Sequence, residues 1–484
     1  MARSQPALWG GIVAAALVAG CAVGPNYRRP AVESPAAWKT TVDPRFWKPA
    51  TPRDQEPHEA WWEVFEDPGL ASFQRQAVEA NQDIRKAIAR VEQSRAVARV
   101  GASELLPTLD LNPSYDHFQR SRGGFGSSGS FRADLYSVPL DLSYEVDLWG
   151  RVRRSFEAAR AEAAASLAAQ RFVLLAVTAD VARHYFQLRQ LDAESDILLR
   201  TLELRRTALD LAEHRAAGGL VSQLDVARAT TELSTAETEL LDVHRRRAEL
   251  VNALAVLCGR TASDFSMDAT PLKLEMSPPG IPPGLPSRLL ERRPDVAEAE
   301  RLLASANAKI GVAQAAFFPV VQLTGSTGYV SGELDSLFDP SSRVWSLGPS
   351  LAVPLFAGGR NLANLKASQA AYDQAFADYR QRVLVAFADV ESALANLQWL
   401  GQQAQAHAQV VEAARSAAAL SDSRYRQGLV NYLEAVDAER QRLQAERGAV
   451  QLVSQRLIST VLLIKALGGG WNDEPTGLPF RSER

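Results

Sequence analysis

Tyr136-Ser137-Val138-Pro139-Leu140-Asp141-Leu142-Ser143-Tyr144-Glu145-Val146-Asp147-Leu148 decides the fold. Its even positions are all apolar or aromatic, and its odd positions are serine, proline or an acid. Strict period-two alternation predicts a strand with one apolar and one polar face. The run exceeds the roughly 9–11 tilted residues that cross a bilayer, so the apolar face is expected to meet lipid and the acidic face water. Residues 107–118, 319–330 and 344–356 repeat the pattern more weakly. A half-buried strand of a soluble sandwich would alternate in the same way. Four strands cannot close around a lumen, and an open sheet edge cannot face hydrocarbon. If these strands span a membrane, several chains must share one barrel. Arg122 to Gly129 and residues 331–343 read as exposed loops between the paired strands.

Outward from this stretch the chain is written twice. Gly219-Leu220-Val221-Ser222-Gln223-Leu224-Asp225 aligns with Gly428-Leu429-Val430-Asn431-Tyr432-Leu433-Glu434 at an offset of 209. The same offset joins Gly150-Arg151 to Gly359-Arg360 and Gly259 to Gly468, and an offset of 212 joins Pro107 to Pro319. Ordered anchors at near-constant spacing indicate duplication. Each half reads as helix, strand, strand, very long helix, second long helix.

Arg151 to Ala217 contains neither Gly nor Pro and is rich in Ala, Leu, Arg and Glu. As one helix it would extend about 100 Å at ~1.5 Å per residue, so it must lie along other helices. Its duplicate, 360–427, is interrupted only by Gly401. The partner helices, 222–258 and 432–467, carry seams. Val226, Ala229, Leu233, Ala236, Leu240, Val243, Arg247, Leu250, Leu254 and Leu257 alternate by three and four, with Arg247 the charged interruption. Val436, Leu443, Val450, Leu457 and Ile464 recur every seven residues. Periodicity alone is also compatible with a plain oligomeric rod.

The chain has 484 residues, a net charge of -3 and two cysteines. Its balanced charge gives no support for a nucleic-acid partner. No uninterrupted apolar run of about 18 residues follows the N-terminus, so no membrane-spanning helix is expected beyond it. At the N-terminus, Arg3 precedes an apolar stretch from Ala7 to Ala19 and then Val18-Ala19-Gly20-Cys21. This resembles a bacterial lipoprotein signal, which implies cleavage of residues 1–20 and a diacylglycerol and N-acyl lipid on Cys21. Ala22 in place of Asp implies the outer membrane. Residues 21–68 read as a lipidated, extended tether. Cys258 then lacks a partner, and its apolar neighbours predict a buried, inert thiol. The six histidines are scattered, with no HExxH, GxxxxGK or GxSxG motif, and Gly468-Gly469-Gly470 follows a helix. Arg245-Arg246-Arg247 reads as a solvated helix face. No catalytic or metal site, cofactor or enzymatic activity is expected.

The lipoprotein signal, the duplicated plan, and the motifs GLVSQLDVARA, YRQGLVNYLEAVDAERQ, YEVDLWGR and VPLFAGGR resemble TolC-type outer-membrane factors, most closely the NodT-like lipoprotein branch. The resemblance covers nearly the whole chain past residue 20. It implies an α+β membrane protein in which a homotrimer shares a 12-stranded β-barrel, continued by a periplasmic α-helical barrel. It divides the chain into a first repeat (69–260), an equatorial linker (261–290), a second repeat (291–468) and a C-terminal tail (469–484). It implies a passive exit duct for small molecules in a tripartite pump, contacting outer-membrane lipid, a periplasmic adaptor (membrane fusion protein) and an inner-membrane transporter of the RND type. A duct for type I protein secretion uses the same fold, and a pore-less, lipid-anchored coiled-coil scaffold is the alternative of a different class.

The resemblance also assigns residues. The helix-turn-helix joints, Gly218, Gly219, Leu220, Val221 and Ser222 with Gly428, Leu429, Val430 and Asn431, would dock the adaptor. Leu433, Glu434 and Asp437 would form the periplasmic gate, with Glu434 replacing an aspartate of TolC. Asp225 and Tyr425 would tie the closed helices together, while Val430 stands where TolC has an arginine. Glu434 and Asp437, at i and i+3, share one helix face, and a ring of carboxylates in a narrow pore favours cations. On spacing alone they could equally be the solvated face of a coiled coil.

Overall fold

The computed structural model describes residues 22–31, 39, 48–49, 60–120, 131–281 and 293–469. Cys21, residues 121–130 (where a loop is expected at 122–129), residues 282–292 and those beyond 469 lie outside the described residues. The chain divides into two compact units. One comprises 1–31, 90–167 and 298–380, and the other 32–89, 168–297 and 381–484.

The first unit holds the sheet. β1 (Thr108–Leu111) and β2 (Ser114–Arg120) both pair antiparallel with β3 (Phe131–Val146). β3 pairs with β4 (Val320–Ser331), and β4 with β5 (Arg343–Ala352). The first strand was expected to run unbroken from 107 to 118. It is interrupted at Asn112 and Pro113, opposite Pro139 of β3. Neither proline can donate to a ladder, so β3 changes neighbour there. Register converts the alternation into faces, because directly opposed residues point the same way. Leu109, Leu142, Gly325 and Leu347 form one rung across the sheet. Leu111, Leu140, Thr327 and Trp345 form the next. Asp110, Asp141, Ser326 and Ser346 lie on the other face. The apolar face is uncovered among the described residues: Leu109, Leu111, Tyr115, Trp345, Leu347 and Leu351 are all exposed.

The same unit fixes the N-terminal stretch. The Val23 N–H donates to the Trp149 carbonyl (2.9 Å). Arg154, almost fully buried, donates to the Val23 carbonyl (3.4 Å) and to Asn26 Oδ1 (2.6 Å). Asn307 donates to the Pro25 carbonyl (2.8 Å) and Tyr27 to Glu300 (2.7 Å). The start of the segment expected to be an extended tether is thus held in place by side chains of this unit. Polar, aperiodic residues conceal a strap whose partners all lie far along the chain.

Two helices, α1 (Pro68–Ala80) and α2 (Gln82–Ser103), precede the sheet where a single helix was expected. Asn81 both ends α1, donating its N–H to the Ala77 carbonyl (2.9 Å), and starts α2, accepting from the N–H groups of Asp83 and Ile84 (2.9 and 3.1 Å). α3 (Arg151–Ala217) and α4 (Gln223–Leu257) complete the first repeat. α5 (Pro294–Ala315), α6 (Arg360–Arg426) and α7 (Tyr432–Ala466) complete the second. α6 runs unbroken through a buried Gly401. A helical glycine costs only about 1 kcal/mol against alanine, which packing outweighs.

In the second unit both seams are buried. Ala229, Ala236, Val243 and Leu254 of α4 are closed to solvent, and Leu443, Val450, Leu457 and Ile464 of α7 nearly so. Arg247 is no solvated residue: its Nε donates to Asp192 (2.6 Å), whose side chain has no exposure, and Thr270 N–H also donates to Asp192 (2.9 Å). Arg245 behaves as expected, pairing with exposed Asp242 and Glu249, whereas Arg246 also lies 3.8 Å from the buried Glu194. Cys258 is buried, which pushes its thiol up to about 11. In the linker, Phe265 and Leu272 are buried, and Pro279–Gly280 pairs in parallel with Lys48–Pro49. By length and mean hydropathy alone α3, α6 and α7 each reach what a membrane crossing needs, although none carries an uninterrupted apolar run of that length. Between 33% and 61% of those windows is buried inside the chain.

Candidate functional site

The assigned residues converge on the two helix joints, both in the second unit. Each joint ends its long helix in the same way. Gly219 and Gly428 adopt φ of 72° and 78°, and the next N–H reaches back five residues, Leu220 to the Arg215 carbonyl and Leu429 to that of Arg424 (both 2.9 Å). Glycine alone enters this left-handed conformation without a Cβ penalty, which is why the repeat keeps it at both joints. The next helix then starts on a side-chain cap. Ser222 N–H and Oγ donate to Asp225 Oδ2 (3.3 and 3.1 Å), and Asn431 Oδ1 accepts from the Glu434 N–H (3.1 Å).

These caps separate the assigned residues by what they contact. Asp225 is engaged in its own joint, with Arg228 a further 3.9 Å away. Tyr425 is buried: its ring lies 5.5 Å from that of Tyr432, and the Arg215 guanidinium sits 4.9 Å over it. Arg215 also donates to the carbonyls of Tyr425 (3.4 Å) and Arg426 (3.1 Å), satisfying the end of α6. The Tyr425 hydroxyl is buried with no hydrogen-bond partner among the described residues. Within one chain, then, Asp225 and Tyr425 do not bond to each other.

Leu433, Glu434 and Asp437 share the exposed face of the first turns of α7, while Tyr432 points into the bundle. Glu434 lies 3.5 Å from Arg424, and Asp437 accepts from Gln441 (3.1 Å). Burial beside Glu232 and Tyr425 pushes the Tyr432 hydroxyl up to about 12, so it stays protonated and neutral. A cleft of about 960 Å³ lies against this turn, lined by Leu211, Arg215, Ala418, Tyr425, Tyr432 and Val436 among others. Sequence reasoning missed Arg215, Tyr432 and the buried glutamates beside α7. Tyr432 is legible afterwards as an aromatic that opens the second-repeat helix where the first has Gln223.

A bilayer-length sheet with one bare apolar face, built into a duplicated frame of 67-residue helices, defines an outer-membrane channel. The chain belongs to the outer membrane efflux protein family, whose model matches residues 74–260 and 285–469. It is 36% identical over 465 residues to the solvent efflux pump outer membrane protein SrpC of Pseudomonas putida, covering 94% of this chain and 97% of that one. Among solved structures it resembles the outer-membrane channel OprN, at 30% identity and a TM-score of 0.86 over 93% of this chain and 100% of that one. It likewise resembles the open state of the MtrE outer membrane channel of Neisseria gonorrhoeae, at 31% identity and a TM-score of 0.80 over 93% and 98%.

Proposed function

We propose that the chain is the outer-membrane exit duct of a tripartite efflux pump, passively exporting small molecules. The observation that carries this reading is the sheet. It is about four strands wide, with one face apolar and uncovered and the other polar. Both its edges, the β1/β2 side and β5, are unpaired among the described residues. Three copies joined edge to edge give twelve strands, enough to enclose water and leave no edge in lipid. Relatives named for solvent and toluene efflux support small molecules over proteins as cargo. On this reading Cys21 carries the diacylglycerol and N-acyl anchor, and the chain sits in the outer membrane with a long periplasmic extension. The joints at 218–222 and 428–431 meet a periplasmic adaptor, which links the duct to an inner-membrane transporter of the RND type. Leu433, Glu434 and Asp437, repeated by threefold symmetry, make a narrow acidic gate. The buried Tyr425 hydroxyl finds its partner across the copies.

Single-channel recordings in planar bilayers test the reading. Wild type should pass small, cation-selective currents that grow sharply in the Leu433→Ala/Glu434→Ala/Asp437→Ala variant. Equal, large currents from both would discard the gate, and silence from both in inserted protein would discard the pore.

A further inference from the structure

The first turns of α7 leave one face bare, yet the helix is tied to its neighbours just beyond by ion pairs of a particular construction. Glu232 of α4 is buried, and its two carboxylate oxygens are held by two different helices. Oε2 lies 3.1 Å from Arg205 of α3, and Oε1 accepts from Arg440 of α7, three residues past Asp437. Seven residues further along α7, Arg447 pairs with Glu194 of α3 and with Glu239 of α4 (2.7 Å). Glu194 keeps another cation, Arg246, at 3.8 Å.

Exposure separates the partners. The side chains of Arg205 and Glu232 are 9% and 7% exposed, whereas that of Arg440 is 57% exposed. Arg205 also donates to the Glu232 main-chain carbonyl, so this pair is doubly held. If Arg440 departs, Glu232 remains neutralised by Arg205, and no lone charge is stranded in the interior. Glu194 is built differently: Arg246 is 38% exposed and 3.8 Å away, and Arg447, which is closer, is 30% exposed, so exposure does not separate its two cations. Glu232 therefore has a resident cation, Arg205, and a removable one, Arg440, and the removable one belongs to α7.

We propose that Arg440 and Glu232 form a releasable charge latch that holds α7 in the closed position. It rests on the reading that the first turn of α7 gates a pore. The residues act by positioning the helix and do not contact the exported molecule. Because its movable end is exposed, the latch is weakened by salt.

The test records single channels of the full-length protein for wild type, Arg440→Gln, Arg440→Lys and the Leu433/Glu434/Asp437→Ala variant, at 0.1 and 1 M KCl (about 10 and 3 Å screening lengths). Arg440→Gln should raise open probability at least tenfold at low salt, and Arg440→Lys should stay near wild type. High salt should raise open probability in wild type and leave Arg440→Gln unchanged. If Arg440→Gln matches wild type at both salts while the triple variant opens, the latch is wrong and the gate stands. If no variant conducts, the pore reading and the latch fall together. Hydrogen exchange on wild type needs no substitution. Salt should speed exchange at 432–440 more than at 443–464, and uniform exchange would overturn the proposal.

Discussion

Replacing Leu142 with arginine tests the assignment of the sheet faces most directly. Leu142 lies midway along the β3–β4 ladder, opposite Gly325, with Leu109 on its other side. On the lipid side of a barrel, an arginine near the bilayer midplane costs about 2–4 kcal/mol. At 1.36 kcal/mol per decade, that is roughly 30- to 1,000-fold in the folding equilibrium per chain. Three such sites in one barrel would cost about 6–12 kcal/mol if they act independently. Ser143, the next residue, points to the polar face, where its hydroxyl accepts from Gln322 (2.8 Å). Ser143→Arg forfeits that bond, about 1 kcal/mol, and otherwise places a cation in water. Denaturation of protein folded into vesicles should separate the two variants by several kcal/mol, Leu142→Arg being the weaker. Equal losses, or a greater loss from Ser143→Arg, would refute the assignment of the apolar face to lipid.

Two further outcomes follow from the helical interior. Arg247→Ala should cost about 3–5 kcal/mol in equilibrium denaturation, because it strands the fully buried Asp192 carboxylate, and Asp192→Asn should recover part of the loss; a cost below about 1 kcal/mol would show that Asp192 does not need its partner. The Cys258 thiol, pushed up to about 11 from 9.0, should be labelled by a thiol reagent at pH 8 roughly 100-fold more slowly in the folded protein than after unfolding, since the thiolate is the reacting form. A raised folded value favours the neutral thiol, so its contribution to stability is complete below about pH 9 and fades as pH approaches 11; a denaturation series across that range should show the decline, and comparable labelling rates in the two states would show an open thiol.

Much of the architecture was legible because its determinants are local. The bounds of Arg151–Ala217 were readable to the residue because glycine punctuates both ends of a long run that lacks it. The seam from Ala229 to Leu254 was readable because helical period and burial coincide. The face assignment of β3 followed from period two alone. What escaped depends on neighbours distant in sequence. Nothing near Arg247 reveals that Asp192 waits 55 positions earlier, and a buried glutamate such as Glu232 looks like any acid on a charged helix. Asn81 was missed as a double cap because its two roles overlap on one residue. The site was legible only through resemblance to a known family. Spacing places Glu434 and Asp437 on one face, but it does not distinguish a pore lining from a solvated surface.

The strap at residues 22–31 has a consequence for the order of folding. Its seat is built from both repeats: Arg154 from the first, and Glu300 and Asn307 from the second, 273 and 282 positions from their partners Tyr27 and Pro25. Contacts of such span close late, because loop entropy must be overcome before they can contribute. The seat is also exacting, since a Cβ on Gly24 would lie 2.5 Å from the Gly311 Cα. The first described residues to leave the ribosome are thus among the last to be placed. A seated strap is a seal applied after both repeats have folded, so a half-finished chain cannot carry it.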